Sequence, residues 1–311
     1  MGITILLTQS RDPTSDYIQT AFENIHKPIS RINLDEFNVP NLSINPLQRD
    51  GGWIEDVNGI KLKVEDITAI ILRRPAIPTF HKDETKNRFL RREFLFGLRA
   101  FLETTSAIWM NHPDSNSIAS SKPRNLKIAS EIGLKVPQTL ISSDPVEIST
   151  WLKKHDDCII KAISYGLMEK KNSAEMAFTQ RLPINFNIKE NILPGVPILL
   201  QEEIEKQADI RVTLVGNNVF SAILPQEGNE IDWRKRNNAK WNLFKLPKLI
   251  EQKCVRICRK LQLEFAAIDL VKSTSDEYLF LELNPNGQWV WIEEETKLPI
   301  SNSIVEHLSR G

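Results

Sequence analysis

Apolar runs of four to eight residues alternate along this chain with stretches of helical periodicity, and that alternation predicts an α/β protein. Residues 2–8 are apolar and β-branched and read as a first strand, 15–26 as a helix, and 67–72 as a second strand that stops abruptly at Arg73-Arg74-Pro75. From 83 to 104 the spacing predicts a helix, with Phe89, Phe94, Leu98, Phe101 and Leu102 set to face a core. Residues 107–110 add another strand, so a small α/β domain is expected over 1–113. The polar stretch 111–123, rich in Ser, Asn and Pro, reads as a linker. A helix over 122–132, a strand over 136–141, a helix over 144–154 with Pro145 in its first turn, and a strand over 158–161 ending in a lysine follow. With a strand, turn and strand over 162–182 they make a second unit, over 114–197. A third unit, 198–311, holds a strand over 198–204 and a hairpin around Gly216-Asn217-Asn218. It continues with a helix over 248–261, paired strands at 266–271 and 278–284, and a last helix over 301–308. Trp289 and Trp291 read as one face of a further strand, in core packing or in contact with a substrate.

Composition narrows what such a chain does. Its 311 residues exceed the usual size of a single core. Forty Lys+Arg balance forty Asp+Glu, which argues against a general nucleic-acid binder. No apolar run has the ~18 residues needed to span a membrane, and the start lacks a signal-peptide pattern. Three cysteines, Cys158, Cys254 and Cys258, point to a reducing, cytoplasmic compartment, the last two as buried apolar side chains on one helix. Glycine is scarce, at 12 residues, and neither a GxGxxG nor a GxxxxGK[ST] occurs, so dinucleotide and P-loop sites lose their main support.

The candidate chemistry lies on the last strand pair. Asp269 interrupts an apolar strand, and Glu282 and Asn284, two residues apart, share a face of the next. Two carboxylates and an amide oxygen form a hard oxygen site of the kind magnesium takes while sharing ligands with nucleotide phosphates. Lys161 ends an apolar strand, Lys122 opens a helix, and Arg211 follows Asp209 at two residues, positioned to offset charge on a transferring phosphoryl group.

In this order the residues resemble the ATP-grasp superfamily: a lysine, a strand-end lysine, Gln201-Glu202-Glu203-Ile204, Asp209-x-Arg211, Asp269, then Glu282-x-Asn284. Ile231-Asp232-Trp233-Arg234, the strand bearing Asp269, and Phe280 through Trp289 narrow the likeness to microviridin-type (graspetide) peptide ligases; Arg73-Arg74-Pro75 and Leu298-Pro299-Ile300 fit as well. The resemblance implies an ATP-grasp fold of three domains, with ATP between the central and C-terminal ones. It implies Lys122 and Lys161 on the phosphates, Gln201 and Glu202 at the adenine edge, the Glu203 and Ile204 backbone at the hinge, and Asp209 at the ribose. One or two Mg2+ ions would sit on Asp269, Glu282 and Asn284, with Arg211 stabilising phosphoryl transfer. The loop that often covers the phosphates, here residues 163–171, holds a single glycine, Gly166.

The implied reaction phosphorylates an Asp or Glu side chain of a ribosomally made precursor peptide and closes an ester or amide with Thr, Ser or Lys of the same peptide. An acidic core needs cations, and residues 71–99 hold eight (Arg73, Arg74, Lys82, Lys86, Arg88, Arg91, Arg92, Arg99) against three acids. Arg73 or Arg74, with Asp232, Arg234 and Trp289, are expected at the substrate, and a leader groove near 164–182. The expected partners are that precursor peptide and a second copy in a homodimer, with no nucleic acid and no membrane. Another carboxylate–amine ligase, a small-molecule kinase and a non-catalytic nucleotide-binding protein stay open as alternatives.

Overall fold

The structure, a computed structural model, describes residues 2–35, 41–45, 47–48, 51–56, 58–164, 166–170, 173–183, 186–188, 193–236 and 239–309, with backbone alone over 167–170 and 173–176. Tyr165 and Lys171 of the expected phosphate loop lie outside the described residues.

The first apolar runs build a parallel sheet. Strands β1 (Ile3–Thr8), β2 (Ile29–Asn33), β6 (Ile67–Leu72) and β7 (Ile108–Met110) pair in the order β2-β1-β6-β7. Helix α1 (Pro13–Asn24) packs on one side, and α2 (Glu84–Glu103) links β6 to β7. A small antiparallel sheet of β3 (Leu42–Ile44), β4 (Gly52–Glu55) and β5 (Lys61–Lys63) lies between β2 and β6 in sequence. On α2, Leu98, Phe101 and Leu102 enter the core as the spacing predicts, and Phe94 packs against it. Phe89 does not: it is 53% exposed, because seven residues separate it from Phe96, itself 68% exposed, on the side of the helix away from Leu98.

The expected linker is structured instead. Residues Pro113–Ala119 form helix α3, and Asn111 is 1% exposed. Its amide donates to the Phe265 and Pro285 carbonyls at 2.8 and 3.0 Å, while its oxygen accepts from the Glu264 and Phe265 N–H groups. A buried amide that meets four backbone groups is a fixed joint, whatever the polarity of its surroundings in sequence. Helix α4 (Lys122–Glu131) follows.

Next comes an antiparallel sheet, β12-β9-β13-β8, of β8 (Thr139–Ser142), β9 (Cys158–Lys161), β12 (Gln180–Arg181) and β13 (Ile198–Glu202), with α5 (Pro145–Leu152) packed against it. A hairpin of β10 (Leu167–Lys170) and β11 (Ser173–Met176) extends from it in sequence. The largest sheet is β16-β15-β14-β17-β18: β14 (Lys206–Val215), β15 (Asn218–Pro225), β16 (Asn242–Leu243), β17 (Phe265–Ser273) and β18 (Tyr278–Asn284). Ile210, Val212 and Leu214 of β14 and Ala266, Ile268 and Leu270 of β17 face a core completed by α4 and α6 (Lys248–Lys260). Cys254 and Cys258 lie in that core, and burial pushes the Cys254 thiol up to about 12.

The opposite face has two parts. One end is covered by α8 (Ile300–Leu308), α7 (Val290–Thr296), α1 and the back of the parallel sheet. Trp289 belongs here: it caps the start of α7, is 1% exposed and meets Tyr17 edge-on at 5.8 Å. It and Trp291 thus lie at a helix, not on a strand, and Trp289 is closed to a substrate because α1 and α8 bury it. The other end of the face is the candidate site.

Candidate active site

Pairing register sets a row of charges across this face. Arg211 on β14 lies opposite Asp269 on β17, which lies opposite Glu282 on β18; Asn284 follows Glu282 two residues on. A one-residue bulge makes the row possible. Phe280 pairs with Leu270 and Glu282 with Asp269, so Leu281 is the extra residue. Phe280 and Leu283 both enter the core behind the sheet. Strict alternation from Phe280 would send Glu282 into that core; the bulge reverses the phase and turns its carboxylate to the site.

The row is unevenly satisfied. Arg211 donates from Nη1 to Asp269 Oδ1 at 2.8 Å and from Nη2 to the Gln288 carbonyl at 2.7 Å, while its buried Nε has no partner among the described residues. Glu282 accepts no hydrogen bond from a described residue; its nearest cation is Lys122, at 3.6 Å. Burial raises the Asp269 pKa, opposed by the Arg211 charge and reinforced by Glu282. Burial works on Glu282 too, but Lys122, Lys161, Arg234 and Arg211 together hold it below its ordinary value. Cations and anions therefore converge in one cleft of a chain that is neutral overall.

The lysines come from the neighbouring sheet. Lys161 ends β9 and donates to Gln201 Oε1 at 2.8 Å; Lys122 donates to the Ala162 carbonyl at 2.7 Å. Burial lowers the Lys161 pKa; Glu282 opposes this, and the nearby Lys122 and Lys206 add to it. Two ammonium groups, Lys122 and Lys161, beside the two carboxylates suit a polyphosphate with a divalent ion.

Several expected contacts fall differently. Gln201 is 2% exposed, with its oxygen on Lys161 and its amide on Thr139, so it holds a lysine and does not face an adenine edge. Glu202 accepts from the Gln138 N–H at 2.9 Å, and Glu203 takes the Arg181 fork. The Ile204 N–H, in the expected hinge, has no partner among the described residues. Asp209 is 7% exposed and lies on Lys206 at 2.7 and 2.8 Å, closed to a ribose by the cation its burial demands. Lys206 and Arg236, which face Asp209, have no sequence motif of their own; only the bulge at Gln207 brings Lys206 over the strand.

Asp232 is 6% exposed and accepts from Arg234 Nε and Nη2 at 2.8 and 2.6 Å. It therefore aims Arg234, whose side chain stays 41% exposed near Asp269 and Glu282. Arg73 is 4% exposed and committed inside the protein, so it cannot grip a substrate. Arg74 is exposed, at φ +44°. Among the described residues no three His, Cys, Asp or Glu side chains form a metal-holding group. The set here has two carboxylates and an amide oxygen, all hard donors on one sheet face, and that chemistry fits a magnesium ion completed by phosphate oxygens and water. No described helix is long and apolar enough to cross a membrane.

The family described as "RimK-like ATP-grasp domain" matches residues 119–308. Among solved structures, the macrocyclase MdnC of Microcystis aeruginosa MRC, bound with its precursor peptide MdnA, superposes with a TM-score of 0.85 at 23% identity, over 100% of both chains. A RiPP-associated ATP-grasp ligase of Chryseobacterium gregarium, in complex with ADP and a leader and core peptide, gives 0.86 at 25% identity, over 100% of this chain and 97% of that one. The ATP-grasp ligase PsnB, complexed with a minimal precursor, Mg and ADP, gives 0.80 at 17% identity, over 99% and 96%. No curated protein sequence gives a significant match.

Proposed function

Because this chain belongs to the RimK-like ATP-grasp family, we propose that it is an ATP-dependent peptide ligase that crosslinks side chains of an acidic precursor peptide. A carboxylate oxygen of the peptide attacks the γ-phosphorus of ATP, the bond to the β-phosphate oxygen breaks, and ADP leaves. A hydroxyl or amine of the same peptide then attacks the acyl carbon. It loses its proton, phosphate departs, and an ester or amide ring remains. Holding both side chains on one bound peptide supplies the proximity the second step needs.

The observation that supports this best is the row Arg211–Asp269–Glu282 facing Lys122 and Lys161. Magnesium, held by Asp269, Glu282 and Asn284, would supply charge neutralisation to the phosphates. Lys122 and Lys161 would bind phosphate oxygens, and Arg211 would meet the charge that grows on the transferred group. The Ile204 N–H would donate to the adenine. Arg234, aimed by Asp232, would orient the substrate carboxylate, with the exposed Arg74 as an outer contact.

Incubating the protein with ATP, Mg2+ and an acidic precursor peptide tests the reading. Peptide-dependent ADP release and a product lighter by about 18 Da per ring are expected. Release of ADP with a stable phosphopeptide would instead indicate a kinase, and nucleotide binding without turnover a binding protein.

A further inference from the structure

The site's arginine is held from the far side of the molecule. Arg211 Nη2 donates to the backbone carbonyl of Gln288, at the end of the tight segment after β18. The Gln288 side chain points the other way, into the parallel-sheet unit, where its Oε1 accepts from Arg73 Nη2 at 2.8 Å and from the Thr14 hydroxyl. Arg73 in turn donates from Nε to Asp12 Oδ2 at 2.9 Å, and Asp12 also accepts from Ser15 Oγ at 2.6 Å. Asp12 and Arg73 are 3% and 4% exposed. An unbroken series of contacts, buried at Asp12–Arg73 and part-buried beyond it, thus runs Asp12–Arg73–Gln288–Arg211–Asp269.

The segment it crosses has little freedom. Asn111 holds the Pro285 carbonyl at 3.0 Å. Gly287 leaves no room for a side chain: a Cβ there would stand 2.3 Å from Ala267 Cβ and 2.9 Å from Arg211 Nη2. Two groups of the N-terminal unit, Arg73 and Asn111, therefore fix both ends of the turn against which Arg211 rests. The guanidinium fork is needed at Arg73, since two different NH groups address Asp12 and Gln288 along different directions; a lysine ammonium cannot reproduce both.

We infer that Gln288 and Arg73 are positioning residues for the transfer step, with Gln288 coupling the N-terminal unit to the Arg211 guanidinium. The inference rests on the ligase reading for its kinetic consequence, but the orientation of Arg211 can be read without turnover. A rigid link of this kind acts on rate because sub-ångström displacement of a group facing the reacting phosphorus costs far more in kcat than in binding.

Gln288→Leu keeps the backbone carbonyl and the Arg73–Asp12 pair while cutting the bonds to Arg73 and Thr14. With ATP and precursor peptide, kcat for ADP release is expected to fall roughly 10- to 100-fold with both KM values within about twofold. Arg73→Lys should reproduce the effect, and Gln288→Glu, which restores an acceptor to Arg73, should recover most of the rate. Added to Arg211→Lys, Gln288→Leu should cost little more. In side-chain NMR of the intact protein, the Arg211 NH signals should lose their exchange protection in Gln288→Leu. Unchanged Arg211 signals, or a loss confined to KM, would overturn the inference. If wild type shows no peptide-dependent turnover while the Arg211 signals respond as expected, the functional reading fails and the coupling stands.

Discussion

Arg73–Asp12 and Arg211–Asp269 are the same pair chemically, at 2.9 and 2.8 Å, in two regions with opposite uses. In the N-terminal unit both partners are closed off and nearly every polar group around them is answered: Asp12 meets Arg73 and Ser15, and Arg73 meets Asp12 and Gln288. Burial draws the Arg73 pKa down to about 10, offset by Asp12, so the guanidinium stays protonated at neutral pH. On the large sheet the pair opens on a cleft, with Asp269 23% exposed beside a second carboxylate that accepts no hydrogen bond from a described residue. Burial and Glu282 raise the Asp269 pKa despite Arg211. Pair distance therefore separates nothing; what distinguishes a structural pair from a chemical one is the demand left unmet around it.

Exchanging the roles of the two pairs is the strongest attack on that distinction. Asp269→Asn should lower turnover about 10³-fold by removing the carboxylate charge from the metal site and from opposite Arg211, while thermal unfolding moves little. Arg73→Met should fall most heavily on stability instead. Leaving Asp12 buried without its cation costs about 3–5 kcal/mol, read as a lower urea midpoint, and the folded fraction shows the roughly 10- to 100-fold kcat loss expected of Gln288→Leu. Equal losses of stability in the two variants would erase the difference between the regions.

The sequence shows one of these pairs far better than the other, for a physical reason. Asp269 and Glu282 sit in apolar strands, where an acid is costly and so conspicuous. Asp12 lies in a polar turn, where an acid is unremarkable, and its burial depends on a strand-end arginine 61 residues away. Strand-end position alone points Arg73 to a substrate; its bonds to Asp12, just before α1, and to Gln288 close it instead. Asn111 hides likewise in a Ser- and Asn-rich run, since composition cannot tell an amide exposed in a linker from one bonded to four backbone groups. Lys206 over Asp209 and the turning of Glu282 both depend on bulges, which leave no mark in periodicity. Strands with apolar runs of four or more residues are legible, whereas β2 and the short β3, β4 and β5 have no such run and pass unread.

A milder test acts on the space between the regions. Gly287→Ala drives a Cβ against Ala267 and Arg211 Nη2 and should cost about 1–3 kcal/mol, together with part of the turnover. The compensating change Ala267→Gly should return stability, since the closer clash, at 2.3 Å, is with that methyl. If the double variant regains stability but not rate, the turn matters to Arg211 beyond its packing.

The smallest effect concerns a third pair, Asp232–Arg234, intermediate between the other two because Asp232 is buried and Arg234 is 41% exposed. Burial alone would raise the Asp232 pKa, but hydrogen bonds and charge from Arg234, with the Thr179 N–H, hold it below the ordinary value. A depressed carboxylate stabilises the fold fully above its unfolded pKa, about 3.9, and that contribution disappears as pH falls through the folded value. With one partner half in water it should amount to no more than about 1 kcal/mol. Urea unfolding of wild type and Asp232→Asn should therefore differ by a constant small amount near neutrality and converge as the medium is made more acidic than pH 4. A gap that persists unchanged at pH 2 would mean that Asp232 acts through packing and not through its charge, placing this pair with neither of the other two.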